Sequence, residues 1–302
     1  MSDSASTRGD RPSGKILIAD CGSTKVRWVL LDTCGKILLL DFETTGFNAA
    51  VTSPEEIRRI LRNEVAPKLQ SADIDTLYFY GAGCIGGDVN WRLGDMLAEY
   101  IPAYWIEVAS DLVAAARALF GRGRGIACIL GTGSNSGLYD GREIVANTPP
   151  LGYILGDEGS GAVLGRRLIG DLFKGLLPAE IVRDFEDEYH LSKADVINMV
   201  YRHGPSNRWL ASFCPFISAQ IGHPEIAALV TEEFRRFLQR NVRRYFTGTA
   251  SPADTPLGFI GTIAVVFKPQ LLDACACEGL TVKTINRSPI HGLKNYHLCQ
   301  QA

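Results

Sequence analysis

Five short stretches combine small residues with groups able to handle an anion or a proton. Asp20 to Lys25 reads DCGSTK, and Gly131 to Asn135 reads GTGSN. Ser110 and Asp111 follow an apolar run. Leu155 to Gly161 reads LGDEGSG, and Gly258 to Ala264 reads GFIGTIA. In the first stretch, Gly22, Ser23 and Thr24 carry small side chains, so their backbone N–H groups can approach an anion unobstructed. Ser23 and Thr24 add hydroxyl donors, and Lys25 adds charge. The stretch is not a Walker-type loop, which needs a longer glycine loop ending in Gly-Lys-Ser/Thr and opening a helix. Read alone, it also fits an ordinary hairpin turn. GTGSN repeats the type, and two such turns facing each other across a cleft could hold a polyphosphate from both sides. Asp111 reads either as a helix cap or as a carboxylate at the C-terminal end of a strand, where α/β proteins place their ligands. LGDEGSG packs two acids among three glycines before a helix. GFIGTIA is a strand ending in a small turn.

The elements around these stretches are strands and helices in an α/β order. ILIAD, VRWVLLD and ILLLDFET read as three strands joined by CGSTK and TCGK, because β-branched and large apolar residues dominate them. SPEEIRRILRNEVAPKL reads as a helix with Ser53 as N-cap, Pro54 in the first turn and Glu56 completing a capping box. DTLYFYGAG, a helix WRLGDMLAEYI, the strand YWIEVA and the helix LVAAARALFG follow. A second meander, GIACIL, SGLYD and REIVAN, repeats the first and suggests duplicated half-domains. Helices are expected from about Gly161 to Thr247. Phe234, Phe237, Leu238, Val242 and Tyr245 recur at helical spacing on one of them, so its arginines read as the solvated opposite face. LGFI returns as a strand, and SPIHGLKNYHLCQQ closes the chain as a helix.

The 302 residues, 46% hydrophobic and 21% charged, suit two soluble domains of ordinary size, and the net charge of −2 gives no reason to expect a nucleic acid. MSDSASTRGDRPSG reads as a disordered tail rather than a signal peptide, and no apolar run is long enough for a membrane span. A cytoplasmic protein is expected. The eight cysteines contain no C-x-x-C pair, and the five histidines lack ligand spacing. Reduced, mostly structural thiols and no zinc site are expected.

Taken together, DCGSTK, the SD of VASDLVAAARAL, GTGSN, GDEGSG and GFIGTIA resemble the motifs of the ASKHA superfamily of actin-like phosphotransferases. They resemble most the N-acetylglucosamine kinase group and its relatives, the BadF/BadG-type ATPases. They occur in that family's order and span most of the chain. The resemblance implies an α/β fold of two ribonuclease H-like (actin-like ATPase) domains with ATP between them. Residues 15–115 would form the first domain, with a C-terminal helix at 289–302 packing back onto it. Residues 116–288 would form the second, with a helical insertion, and 1–14 the tail.

The same resemblance implies residue roles. Asp20 would hold Mg²⁺ through water, and Gly22, Ser23, Thr24 and Lys25 would face the β- and γ-phosphates. Gly133, Ser134 and Asn135 would form the opposing phosphate turn, with Gly261 and Thr262 near the adenosine. Asn48, Thr132 and Asp157 match sugar-side positions, and Asp111 matches the catalytic base. The implied activity is transfer of the γ-phosphoryl group to a hydroxyl of an amino sugar, N-acetylglucosamine or a relative. The partner expected is a small sugar, with no nucleic acid and no membrane; a homodimer is allowed. Where these kinases commonly carry Gly-Gly-Trp-Gly, this chain has PPLGYIL, and its prolines remove N–H donors beside the sugar. That departure leaves the identity of the sugar open. Two rival readings are an iron–sulfur ATPase activator of the 2-hydroxyacyl-CoA dehydratase type and a non-catalytic actin-like ATP sensor.

Overall fold

The computed structural model describes residues 14–22, 24–34, 36–69, 72–202, 206–246 and 254–298. Ser23, the expected tail up to residue 13 and residues 299–302 of the closing helix therefore lie outside the described residues. The chain divides into two compact units. Residues up to Ala114 and from Ile290 onward form the first, and Ala115–Pro289 form the second.

The first unit is built on β1 (Lys15–Cys21), β2 (Lys25–Asp32), β3 (Ile37–Thr45), β4 (Ile74–Gly81) and β5 (Ala103–Ser110). They form one sheet in the order β3-β2-β1-β4-β5. β1 and β2 pair antiparallel, whereas β1, β4 and β5 run parallel. Leu17, Trp28, Phe47, Phe79 and Leu97 are buried in its core. The helix Pro54–Ile60 starts at Ser53, whose Oγ accepts from the Glu56 N–H at 3.3 Å. The Glu56 carboxylate does not complete the box; it binds Arg59 at 2.7 Å instead. The expected single long helix is interrupted by one π turn, Leu61–Val65.

The second unit repeats the plan with β6 (Gly125–Leu130), β7 (Ser134–Tyr139), β8 (Ile144–Thr148), β9 (Leu257–Ile260) and β10 (Val282–Asn286), ordered β10-β9-β6-β7-β8. Again the first three strands form an antiparallel meander and the last two join in parallel. β10 was not expected from the sequence: VKTIN is short and half-exposed, so it carries almost no apolar signal. Between β8 and β9 lie the helices Gly161–Phe173, Ala179–Tyr189, Lys193–Arg202, Asn207–Ala211, Cys214–Ala219 and Pro224–Arg240. Phe185, Phe213, Phe216, Phe234 and Phe237 are fully buried among them. The arginine-bearing helix does bury the apolar stripe that its period predicts. Two α/β units with the same mixed five-stranded order make this the two-domain actin-like ATPase fold.

Candidate functional site

The sequence-predicted residues gather into two clusters, one in each unit, at the C-terminal ends of the parallel strands. In the first unit, the sheet register lines up Cys21, Gly81 and Ser110 across β1, β4 and β5. One row below, Asp20 pairs with Tyr80, and Tyr80 with Ala109. Asp20 and Asp111 therefore sit at the same end of the sheet, two strand spacings (roughly 10 Å) apart. Asp111 is the first residue of the helix Asp111–Phe120. It is not the cap; Ser110 is, with its Oγ accepting from Val113 N–H at 3.3 Å. The Asp111 carboxyl keeps some accessible surface, yet the atoms packed round it desolvate it and raise its pKa. The backbone N–H groups of Leu112 and Asp111 itself pull less strongly the other way. Burial also pushes up the thiols of Cys21 and Cys84, and the charge of Asp111 reaches both. They are inert small hydrophobes beside the carboxylates.

Between β1 and β2, Gly22 N–H donates to the Lys25 carbonyl at 3.0 Å. Gly22, Thr24 and Lys25 are exposed. The Lys25 ammonium meets Glu43 of β3 at 2.5 Å, an exposed pair that costs little to break. Asn48 lies in the loop after β3. Its Oδ1 accepts from Ala50 N–H at 2.9 Å, and its own N–H donates to Thr52 Oγ1 at 3.1 Å. The loop after β4 joins these pieces: Ala82 N–H donates to the Cys21 carbonyl and Ala49 N–H to the Ala82 carbonyl, both at 3.0 Å.

In the second unit the turn is Gly131-Thr132-Gly133, closed by Gly131 N–H to the Gly133 carbonyl at 2.9 Å. Ser134 and Asn135 belong to β7 rather than to the turn. Ser134 is buried, and its backbone N–H donates to the Asp157 carboxylate. Asn135 Oδ1 accepts from Ser136 N–H and from Asn147 Nδ2, both at 2.9 Å. The helix Gly161–Phe173 packs its start against the turn: Gly161 and Ala162 donate to the carbonyls of Gly131 and Thr132 at 2.9 and 3.1 Å. Among the described residues, the N–H groups of Thr132 and Gly133 meet no carbonyl. They remain as donors for an anion, together with the Thr132 hydroxyl.

Asp157 has a left-handed backbone, φ 53°, and a buried carboxyl whose pKa desolvation pushes up to about 6. The neighbouring charge of Glu158 adds to that rise, and the Ser134 N–H opposes it. Its N–H donates to the Pro150 carbonyl at 2.9 Å, so the segment that departs from the family pattern shapes the acidic loop through a carbonyl that proline retains. Leu151 follows in a left-handed conformation with its side chain exposed. Gly261 closes the cluster. Its φ is 132°, and a Cβ there would sit 2.1 Å from the Leu130 carbonyl oxygen, immediately before the turn. Thr262 beside it is exposed and opens the helix Thr262–Val266.

The loop Gly81–Gly83 was missed as a site element. The glycines of YGAG were its signal, but a strand ending in glycines is common and points to no ligand. Among the described residues, no three His, Cys, Asp or Glu side chains gather as metal ligands, and no helix is long and apolar enough to cross a membrane.

No protein-family profile matches the chain, and no curated protein does. Solved structures do match. A candidate N-acetylglucosamine kinase from Porphyromonas gingivalis is 46% identical over 95% of this chain and 100% of its own, with a TM-score of 0.87. A second candidate N-acetylglucosamine kinase, from Chromobacterium violaceum, is 17% identical over 94% of this chain and 99% of its own, with a TM-score of 0.73. The ethanolamine utilization protein EutJ from Carboxydothermus hydrogenoformans is 14% identical over 95% and 90% of the two chains, with a TM-score of 0.54. The last two share the fold. Identity at the level of the first, over nearly the whole of both chains, shows more: the chain belongs to the N-acetylglucosamine kinase and BadF/BadG-type group of the ASKHA superfamily.

Proposed function

We propose that this protein transfers the γ-phosphoryl group of Mg-ATP to a hydroxyl of an amino sugar, N-acetylglucosamine or a close relative. The observation that carries the reading is the gathering of Asp20, Asn48 and Asp111 at one strand-end cluster while the other holds an amide-rich turn. The 46% identity to a candidate kinase of that sugar supports it.

The residues present fit the nucleotide and its metal. Mg²⁺ keeps several waters and takes one or two carboxylates with phosphate oxygens, which suits Asp20. Thr132 and Gly133 offer two backbone N–H groups and a hydroxyl to phosphate oxygens. Gly22, Thr24 and Lys25 would supply further phosphate contacts, and Gly261 and Thr262 would serve the adenosine. Bound Mg-ATP supplies the phosphoryl group and neutralises charge as it transfers. Asp111 accepts the proton of the attacking hydroxyl. Its raised pKa makes it a stronger base than an ordinary aspartate. Asn48 and Thr132 hold the sugar. Asp157, which the resemblance also assigns to the sugar, holds the start of β7, just after the turn that carries Thr132, through the Ser134 N–H.

A coupled ADP-release assay over a panel of amino sugars and hexoses tests the reading. Release with N-acetylglucosamine or a close relative should exceed that with glucose. If every amino sugar is inert while another metabolite is phosphorylated, the named substrate falls and the kinase class stands.

A further inference from the structure

Asn48 is built with only half of its carboxamide exposed to a ligand. Its Oδ1 is consumed by the Ala50 N–H at 2.9 Å, and its backbone carbonyl accepts from the N–H groups of Val51 and Thr52 at 3.2 and 2.9 Å. The Nδ2 group donates to nothing among the described residues, and the residue is half-exposed. Asn48 therefore presents a hydrogen-bond donor of fixed orientation.

What fixes it is Gly83. That residue has φ 80°, a conformation side chains disfavour. A Cβ there would sit 2.0 Å from Asn48 Oδ1 and 2.8 Å from the Ala50 backbone nitrogen. The carboxamide occupies the space that a side chain on Gly83 would fill. The same loop reaches the carboxylates: Ala82 N–H is bound to the Cys21 carbonyl, and Gly81 lies in register with Ser110, one residue before Asp111.

We propose that Gly83 is a positioning residue for acceptor recognition, acting through Asn48, and that the Asn48 Nδ2 donates to an oxygen of the acceptor sugar, a hydroxyl or carbonyl oxygen. This rests on the amino-sugar kinase reading above. It extends that reading by naming what holds Asn48 and which hydrogen-bonding character it imposes on the ligand.

A double-mutant cycle tests it. Asn48→Asp keeps an oxygen for the Ala50 N–H but removes the donor, and should raise KM for the acceptor at least tenfold. Gly83→Ala should raise it by a similar factor, with kcat within threefold and ATP affinity within twofold of wild type. The double variant should be no more than about twofold worse than Asn48→Asp alone, because Gly83 then has no donor left to aim. Independent, multiplying effects on KM would overturn the proposal, as would a Gly83→Ala enzyme with KM within twofold of wild type.

A second readout separates this from failure of the kinase reading. In ¹⁵N-labelled protein, the side-chain amide signals lost in Asn48→Asp identify Asn48. Gly83→Ala should move those signals further than the amide signals of the other asparagines. If wild type phosphorylates no sugar in the panel, the kinase reading fails while this readout still decides whether Gly83 holds Asn48; unmoved signals overturn it.

Discussion

The two units share one strand order and differ in what they place at its end. In the first, the ends of β1 and β5 carry Asp20 and Asp111, and the loop beside them carries Asn48. Each has an ionisable or hydrogen-bonding head group. In the second, the end of β6, the counterpart of β1, carries Gly131-Thr132-Gly133, and the end of β9, the counterpart of β4, carries Gly261; both offer backbone and little else. The carboxylate nearest that turn, Asp157, is turned inward onto the Ser134 N–H. A duplicated frame has thus been divided between a half that holds reactive side chains and a half that presents amides. Side chains move protons and coordinate cations. A turn of small residues lets an anion approach the backbone without steric hindrance. One strand end cannot be optimal for both.

The largest effect expected from that division is at Asp111. Asp111→Asn keeps size and much of the hydrogen bonding but removes the basic site. It should lower kcat by about 10²–10⁴-fold, roughly 3–5 kcal/mol of barrier. ATP affinity should stay within about threefold when measured by calorimetry on folded protein. Activity within threefold of wild type would remove Asp111 as the base. The raised pKa adds a direction: the acid limb of the kcat profile should lie at higher pH than an ordinary aspartate would place it.

The next effect tests whether the second unit's turn depends on backbone geometry. Gly261→Ala places a Cβ against the Leu130 carbonyl at a φ that alanine disfavours. Equilibrium unfolding in urea should show a loss of about 2–4 kcal/mol, together with weakened ATP binding. A variant as stable as wild type would mean that this junction has slack.

The smallest effect concerns Asp157 and has the opposite sign. Its pKa is raised from 3.8 to about 6 in the folded protein, so the folded state holds its proton more tightly than the unfolded state does. Ionisation of this group therefore costs stability as pH rises from about 4 through about 6. Asparagine can still accept the Ser134 N–H. Asp157→Asn should accordingly be near neutral at pH 4 and stabilising by about 1–3 kcal/mol at pH 7.5, read from urea midpoints at both values. Destabilisation at pH 7.5 would mean that the charge is needed where it sits, and the contrast with Asp111 would then narrow.

Much of this was readable in the residues. Apolar runs broken by small polar turns determined both meanders, because a strand buried on its faces needs little besides branched and large apolar side chains. The i, i+3, i+4 stripe of Phe234, Phe237 and Leu238 determined the helix that buries them. The five motifs, taken in order, indicated the family to which the 46% identical relative belongs. Tertiary structure decided the rest. β10 exists because β9 offers it a partner, not because VKTIN is strongly apolar. Ser134 and Asn135 left the expected phosphate turn because strand pairing across β6 and β7 claims them. Ser110 rather than Asp111 caps the helix, which leaves the Asp111 carboxyl to its desolvated surroundings. Gly83 reads as one more glycine until Asn48, distant in sequence, fills the space its missing side chain leaves. Local propensity and burial act over a few neighbouring residues and are written along the chain. Register, cap assignment and desolvation depend on which distant atoms arrive, and only the folded chain brings them.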